Sequence, residues 1–215
     1  MRNKFFKNSR NSILFLIFMS LFCVSFKCVH KDEPIKPSKI PKLVSSSKEK
    51  MESQIKEVKS FLNKTRKYNT EIVFFADMKI ESGKNRFFIY DLKNSKLIDK
   101  GLVGHGTGSE TGIPGKLKFS NLKDSHCTSL GKYSIGSSYQ GTFGKAYKLI
   151  GLDKTNNNAL DRNVVLHQYW DVPFEEQNSA ICNSYGCPMV NKKFFGVIEK
   201  IIDTSKKKII LVIYY

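Results

Sequence analysis

The spacing of hydrophobic side chains changes near residue 70, and this change divides the chain. Before it, apolar residues recur every three or four positions, which places them on one face of an α-helix: Met51, Ile55, Val58 and Leu62. Ser46 and Glu49 have the spacing of a capping box, which favours a helix start at this point. We therefore predict an N-terminal helix over 47–69 whose apolar face packs against the rest of the protein.

From Glu71 onward, short runs of β-branched and aromatic residues replace the helical spacing. The runs are "EIVFFADM", "RFFIYDL", "KLIDKGLVGH", "GKYSIGSSYQG", "AYKLIGL", "NVVLHQY" and "KKIILVIYY". One helical segment, "KKFFGVIEKIIDTS", precedes the last run. Since long helices do not alternate with the strands, a doubly wound parallel sheet is disfavoured. The pattern predicts a mostly β fold with a few short helices, an antiparallel sandwich or barrel-like domain over 70–215.

The first 28 residues differ from the rest of the chain. Four basic residues and no acid come first, and an uncharged apolar run of 14 residues follows from Ile13 to Phe26. This run has the length of a signal-peptide core and is short for a membrane span. We expect 1–28 to direct export to the periplasm or cell envelope, either as a cleaved signal or as a membrane anchor. Residues 29–46, with three prolines among lysines and serines, are typical of a linker.

The charge balance indicates which partners suit the protein. The formal net charge is +17, and five of the positive charges lie in 1–28, which leaves a net charge of +12. A basic exported protein is suited to acidic envelope polymers or anionic lipid head groups. Nucleic acid is disfavoured as a partner, because no basic-aromatic recognition module is present. We expect a monomer.

One short segment, "NSYGCP", has the composition of a nucleophile turn. The glycine before Cys187 allows a tight turn in which successive amides point at one place. A thiol there can attack a carbonyl while the backbone N–H groups of Tyr185, Gly186 and Cys187 stabilise the developing oxyanion. His167, at the end of the "NVVL" strand, is the candidate base, and a close pair of imidazole and thiol can favour the thiolate near neutral pH. The alternative is a buried cysteine and a core histidine.

Other interpretations of the same residues are weaker. The segment "GHGTGSETGIPG" is glycine-rich, but no helix follows it, so we predict a loop rather than a phosphate site. Five residues have zinc-ligand chemistry without the close spacing of a zinc site: His126, Cys127, His167, Cys182 and Cys187. We expect no metal and no cofactor.

The cysteines leave one question open. Three of them follow residue 28, so at least one is unpaired. Cys127 and Cys182 could form a disulfide, Cys182 and Cys187 could form one, or all three could be free thiols.

The motifs together resemble the L,D-transpeptidase catalytic domain family. "VVLHQYW" and "SYGCP" are similar to its strand histidine and its Ser-His-Gly-Cys turn, with 17 residues between His167 and Tyr185. "TSLGKYSI" resembles the family's Thr-Pro-x-Gly-x-aromatic strand, and the order of "VGHGTGS", "FSNLKDSHCTSLGKY" and "GLDKTNNNALDR" is similar to its murein branch. The resemblance covers about 71–215. Tyr185 stands where the family has histidine, and Gln168 and Pro188 also depart from the pattern.

The resemblance implies a cysteine acyltransferase that acts on peptidoglycan stem peptides. Cys187 would attack the carbonyl of the L-centre of a tetrapeptide, with His167 as the base, and the thioester would pass to an amine or to water. Six residues are candidates for the substrate groove: His105, Tyr133, Tyr147, Asn158, Arg162 and Ser184. The departures from the motif motivate the alternative, a non-catalytic peptidoglycan-binding envelope protein.

Overall fold

A computed structural model describes the backbone of residues 40–215 and their side chains from Ser47 onward. The predictions made for 1–39, the export segment and most of the linker, lie outside the described residues. The described elements, in chain order, are α1 (Ile40–Thr65), β1 (Ile72–Asp77), β2 (Phe87–Asp91), β3 (Lys96–Gly101), β4 (Gly131–Gly141), β5 (Gly144–Gly151), β6 (Val165–Gln168), β7 (Met189–Val190), α2 (Lys192–Thr204) and β8 (Ile210–Tyr214).

The strands form one mixed sheet in the order β3-β2-β1-β8-β4-β5-β6-β7. The pairs β1–β8 and β6–β7 are parallel, and the other five pairs are antiparallel. The prediction of a mostly β fold preceded by an N-terminal helix is confirmed. Every predicted strand is present, and the short strand β7 was not predicted.

Successive side chains of the central strands point to opposite faces of the sheet, and both faces are buried. In β1, Phe74 belongs to the apolar cluster on the α2 side, while Val73 and Phe75 belong to the cluster on the α1 side. Strand β8 divides in the same way, with Leu211 in the first cluster and Val212 in the second. Because both faces are covered, these strands are continuous apolar runs instead of alternating ones.

Helix α1 packs through the apolar face that the sequence predicted, but it begins and ends at other residues than predicted. Val58 and Leu62 are buried against the sheet, with Met51 and Ile55 beside them. The helix begins at Ile40, so the residues from 40 to 46 belong to it and not to a linker, and Ser46 lies inside it instead of capping it. A proline is tolerated in a first helical turn, where its missing N–H breaks no intrahelical bond. The left-handed backbone of Arg66 (φ 52°) ends the helix at Thr65, before the predicted residue 69.

Strand β7 and helix α2 fix the chain on the far side of the nucleophile turn. Asn191 caps α2, its side chain accepting a hydrogen bond from the Phe194 N–H at 2.9 Å. Phe194, Phe195 and Ile198 then bury the helix against the sheet. The turn that precedes β7 is therefore anchored at its C-terminal end by both a strand pair and a capped helix.

Candidate active site

The parallel pairing of β6 with β7 brings the candidate base and the candidate nucleophile to the same face of the sheet. His167 lies opposite Met189 in this register, so Cys187, two residues earlier, falls beside Val165. Residues two apart in an extended chain point to the same face. Both side chains line one open cavity of about 360 Å³. The structure thus brings the two predicted residues together.

The thiol of Cys187 is partly buried and held against the end of β6. Its Sγ accepts a hydrogen bond from the Val165 N–H at 3.4 Å and lies 3.8 Å from the Asn163 carbonyl oxygen. Burial raises the pKa of the thiol above its ordinary value, while the Val165 N–H and the charge of Arg162 act in the opposite direction. The pKa shift therefore opposes the thiolate that the sequence motif suggested at neutral pH.

The imidazole of His167 is oriented by the main chain. Its Nδ1 lies 2.9 Å from the carbonyl oxygen of Gln168. Since a carbonyl only accepts, Nδ1 carries the proton and Nε2 has a free lone pair. Burial lowers the pKa of His167 below its ordinary value, and the Gln168 carbonyl partly compensates. The result is a neutral imidazole whose free nitrogen can take a proton.

An aromatic ring covers the imidazole on one side. Phe143, from the turn between β4 and β5, stacks on His167 with ring centroids 5.6 Å apart and an interplanar angle of 19°. The side chain of Gln168 donates to the carbonyl oxygen of Phe143 at 3.0 Å, which ties that turn to β6. Gln168, a departure from the family pattern, thus has a structural partner at the site.

Ser184 closes the nucleophile turn. Its hydroxyl donates to the Cys187 carbonyl oxygen at 2.6 Å and accepts from the Gly186 N–H at 3.0 Å. The Gly186 N–H is therefore occupied, which removes it from the predicted oxyanion donors. Within residues 47–215, no acceptor takes the N–H of Tyr185 or Cys187, so these two donors remain. Ser184 lines the cavity but acts on the turn itself.

Arg162 lies beneath this turn and does not face the substrate cavity as a carboxylate clamp. Its guanidinium donates to the carbonyl oxygens of Ser120 (3.1 Å) and Cys127 (2.6 Å) and to the Ser129 hydroxyl (3.1 Å). It thereby fixes the loop on which the turn rests, because the Cys127 carbonyl is in close contact with Gly186. The sequence prediction of a groove residue is corrected to a role in positioning.

Four other predicted groove residues lie away from the cavity. Tyr133 is fully buried in the core, where its hydroxyl bonds Ser129 and burial raises its pKa to about 12. Tyr147 is buried on the α2 side and donates to an aspartate of that helix. Asn158 is exposed and braces the loop at Asn121. His105 is buried beside a second cavity.

Residues that sequence reasoning missed complete the cavity that holds Cys187. They include Tyr139, Phe143, Tyr169, Asn183 and Met189. One of them carried a signal: Phe143 lies in the turn "GTFG", where a large exposed aromatic side chain has no core to enter. Tyr185, at the position of the family's histidine, is 78% exposed and packs against His126 with ring centroids 4.8 Å apart.

The sulfur atoms of Cys127, Cys182 and Cys187 are all unpaired in the structure. The Cys127 thiol is buried and donates to the Gly108 carbonyl oxygen at 3.0 Å. In the part of the chain that the structure describes, no three His, Cys, Asp or Glu side chains are grouped to hold a metal ion. The five residues with zinc-ligand chemistry are therefore not assembled into one site.

The match to a protein family identifies the class of protein. The L,D-transpeptidase catalytic domain family matches residues 43–214, and the chain belongs to this family. No curated protein matches the sequence. Across residues 40–215, no helix combines the length and apolar character needed to cross a bilayer.

The chain is also similar to solved structures. The helical cell shape determining protein Pgp2 from Campylobacter jejuni is 10% identical, with a TM-score of 0.44, over 66% of this chain and 47% of that one. An L,D-transpeptidase from Mycobacterium smegmatis is 11% identical, with a TM-score of 0.40, over 67% of this chain and 59% of that one. The chain thus spans between about half and three fifths of the length of these proteins.

Proposed function

We propose that this protein is an exported L,D-transpeptidase that uses Cys187 as its nucleophile and His167 as its base. The observation that carries the proposal is the placement of both side chains in one cavity, where His167 lies on β6 and Cys187 in the turn before the neighbouring strand β7. The free Nε2 of His167 supports its role as a base, and the unoccupied N–H groups of Tyr185 and Cys187 support an oxyanion site.

The proposed reaction has two half-reactions. Cys187 Sγ attacks the carbonyl of the L-centre in a tetrapeptide stem while Nε2 of His167 takes the thiol proton. The C–N bond then breaks, and the departing D-amino acid takes that proton on its amine. In the second half, an amine or a water molecule attacks the thioester and gives a proton to His167. The C–S bond breaks, and the sulfur recovers its proton.

The charge and the N-terminal segment extend this proposal. The net charge of +12 outside the first 28 residues suits the carboxylates of peptidoglycan stem peptides. The basic and then apolar composition of 1–28 supports export to the cell envelope, with cleavage or retention of the segment as the two outcomes.

Intact-protein mass spectrometry tests the proposal. The wild-type protein is incubated with disaccharide tetrapeptide, and we expect a thioester adduct and released D-amino acid. Cys187→Ala should form no adduct and release none. Cys182→Ala is the matched control, because Cys182 is also a partly buried free thiol near the turn, and it should acylate like the wild type.

Two results would reject the proposal. Turnover by Cys187→Ala at the wild-type rate would remove the nucleophile from the mechanism. Binding of tetrapeptide by the wild type with neither adduct nor product would instead favour the non-catalytic peptidoglycan-binding protein.

A further inference from the structure

A carboxylate joins the loop after β3 to the nucleophile turn. Glu110 Oε1 accepts hydrogen bonds from two donors, His105 Nε2 at 2.8 Å and Asn183 Nδ2 at 3.2 Å. Asn183 lines the cavity that contains Cys187 and His167. The neighbouring backbone runs in register, since the Ser184 N–H donates to the His105 carbonyl oxygen. Glu110 therefore lies between the interior of the fold and a residue at the cavity.

Arg86 determines which nitrogen of His105 donates to Glu110. Arg86 is almost fully buried, and its Nη2 lies 2.8 Å from His105 Nδ1. Burial lowers the pKa of Arg86 only to about 10, so it is charged at neutral pH and can only donate. His105 must accept at Nδ1 and therefore carries its proton on Nε2, which donates to Glu110. Burial first, and then the charge of Arg86, lower the pKa of His105, so the ring is neutral.

The carboxylate of Glu110 decides which end of the Asn183 amide lies next to it. A carboxylate has no proton to give, so the atom of Asn183 next to Glu110 is the nitrogen. The remaining atom of the amide group is Oδ1. Among the described residues, no donor is bonded to this oxygen. The exposed side chain of Asn183, which lines the same cavity as Cys187, thus presents an oriented acceptor that no described residue uses.

We propose that Asn183 Oδ1 accepts a hydrogen bond from a backbone N–H of the donor stem peptide, and that Glu110 is the positioning residue that orients it. The inference rests on the proposed function, because it names a substrate contact of that same cavity. An extended peptide that places its carbonyl at Cys187 has amide N–H groups on either side of that carbonyl. Asn183 lines the cavity that such a peptide would enter.

Binding is measured by calorimetry in the Cys187→Ala background, with disaccharide tetrapeptide as the probe, so that no acylation takes place. Asn183→Ala should weaken binding about fivefold, the value of one net hydrogen bond. Glu110→Ala should weaken it about threefold, since the amide group is then free to rotate, and Glu110→Gln should restore most of the affinity because its carbonyl oxygen can accept from both donors. In the active enzyme, Asn183→Ala should raise KM and leave kcat nearly unchanged.

The double variant separates positioning from a general structural effect. If Glu110 acts through Asn183, Glu110→Ala adds no further loss in the Asn183→Ala background. An equal loss in both backgrounds would overturn the positioning role. Asn183 is exposed, so Asn183→Ala carries the test even if Glu110→Ala does not fold. Asn94→Ala is the matched control: Asn94 Nδ2 also donates to a carboxylate, that of Asp91, in the turn between β2 and β3.

The failure of this inference and the failure of the proposed function give different results. Unchanged affinity and unchanged KM in Asn183→Ala, with normal acylation of wild-type Cys187, would overturn the inference alone. Absence of any adduct in the wild type, with turnover independent of Cys187, would overturn the proposed function.

Discussion

Replacing Gly186 with alanine tests whether the nucleophile turn depends on close backbone packing. Gly186 has φ +116°, a conformation that residues with a Cβ rarely adopt. A Cβ built there would lie 2.9 Å from the Cys127 carbonyl oxygen and 3.2 Å from Nη2 of Arg162. Both contacts are closer than ordinary packing allows. The Arg162 Nη2 also donates a hydrogen bond to the Cys127 carbonyl oxygen at 2.6 Å. The substitution therefore has to displace a charge-assisted hydrogen bond.

The loss in the free energy of unfolding has two parts: backbone strain at positive φ and disturbance of the hydrogen bond from Arg162 to Cys127. Positive φ costs a residue with a Cβ about 1–2 kcal/mol, of which about 0.4–1 kcal/mol is recovered from the lower entropy of the unfolded chain. Disturbing the bond from Arg162 to Cys127 costs about 1.5–3 kcal/mol more. We expect Gly186→Ala to lower the free energy of unfolding by about 3 kcal/mol, or the Tm by roughly 6–12 °C for a domain of this size.

Gly112 supplies the control. It also has positive φ, +74°, but a Cβ there would have no atom within 4 Å. Gly112→Ala should therefore lose about 1 kcal/mol or less. Both variants are measured by thermal and denaturant unfolding and by thioester formation at Cys187, which should fall sharply only in Gly186→Ala. Equal losses of stability in the two variants, with acylation retained in both, would refute the packing argument.

Two further predictions concern the base and a residue outside the cavity. The acylation rate should rise with pH through the pKa of His167, which burial lowers from its ordinary value, and stay level above it, since only the neutral imidazole accepts the thiol proton. Stopped-flow acylation across the acid-to-alkaline range measures this; a rate that climbs steadily through mildly alkaline pH would indicate unassisted thiolate attack. Tyr147→Phe should lower the free energy of unfolding by about 1 kcal/mol, through its lost bond to Asp203, and leave the acylation rate unchanged. A slower acylation at unchanged stability would place Tyr147 at the substrate after all.

The periodicity of the sequence was sufficient to predict most of the helices and strands. The helical stripe of α1 and the runs that form β1 and β8 depend on local spacing, which the printed sequence contains. The order of the strands in the sheet does not depend on local spacing, because β8 pairs with β1 across more than 130 residues. Strand β7 has only two residues, too few for any period to be visible.

Most of the predicted groove residues lie outside the cavity that holds Cys187, because their residue types suit several environments. A tyrosine in a strand can face either a groove or the core, and Tyr133 faces the core. Arg162 has the chemistry of a carboxylate clamp, but carbonyl oxygens of a neighbouring loop accept its hydrogen bonds. Asn183 was missed because its partner, Glu110, lies 73 positions away in the sequence. The position of each of these side chains depends on tertiary contacts that the spacing of residues in the sequence does not reveal.

Burial has opposite effects on the pKa values of Cys187 and His167, and this determines how the proposed chemistry must proceed. It raises the pKa of Cys187 and lowers that of His167, so the neutral pair is favoured over the ion pair at neutral pH. Attack on the substrate must then be coupled to proton transfer from sulfur to Nε2. The thiol stays weakly nucleophilic until a carbonyl reaches the free N–H groups of the turn, where charge that develops on oxygen is stabilised. Since susceptibility to oxidation follows thiolate character, we expect the same burial to make the resting thiol less sensitive to oxidants than an exposed cysteine.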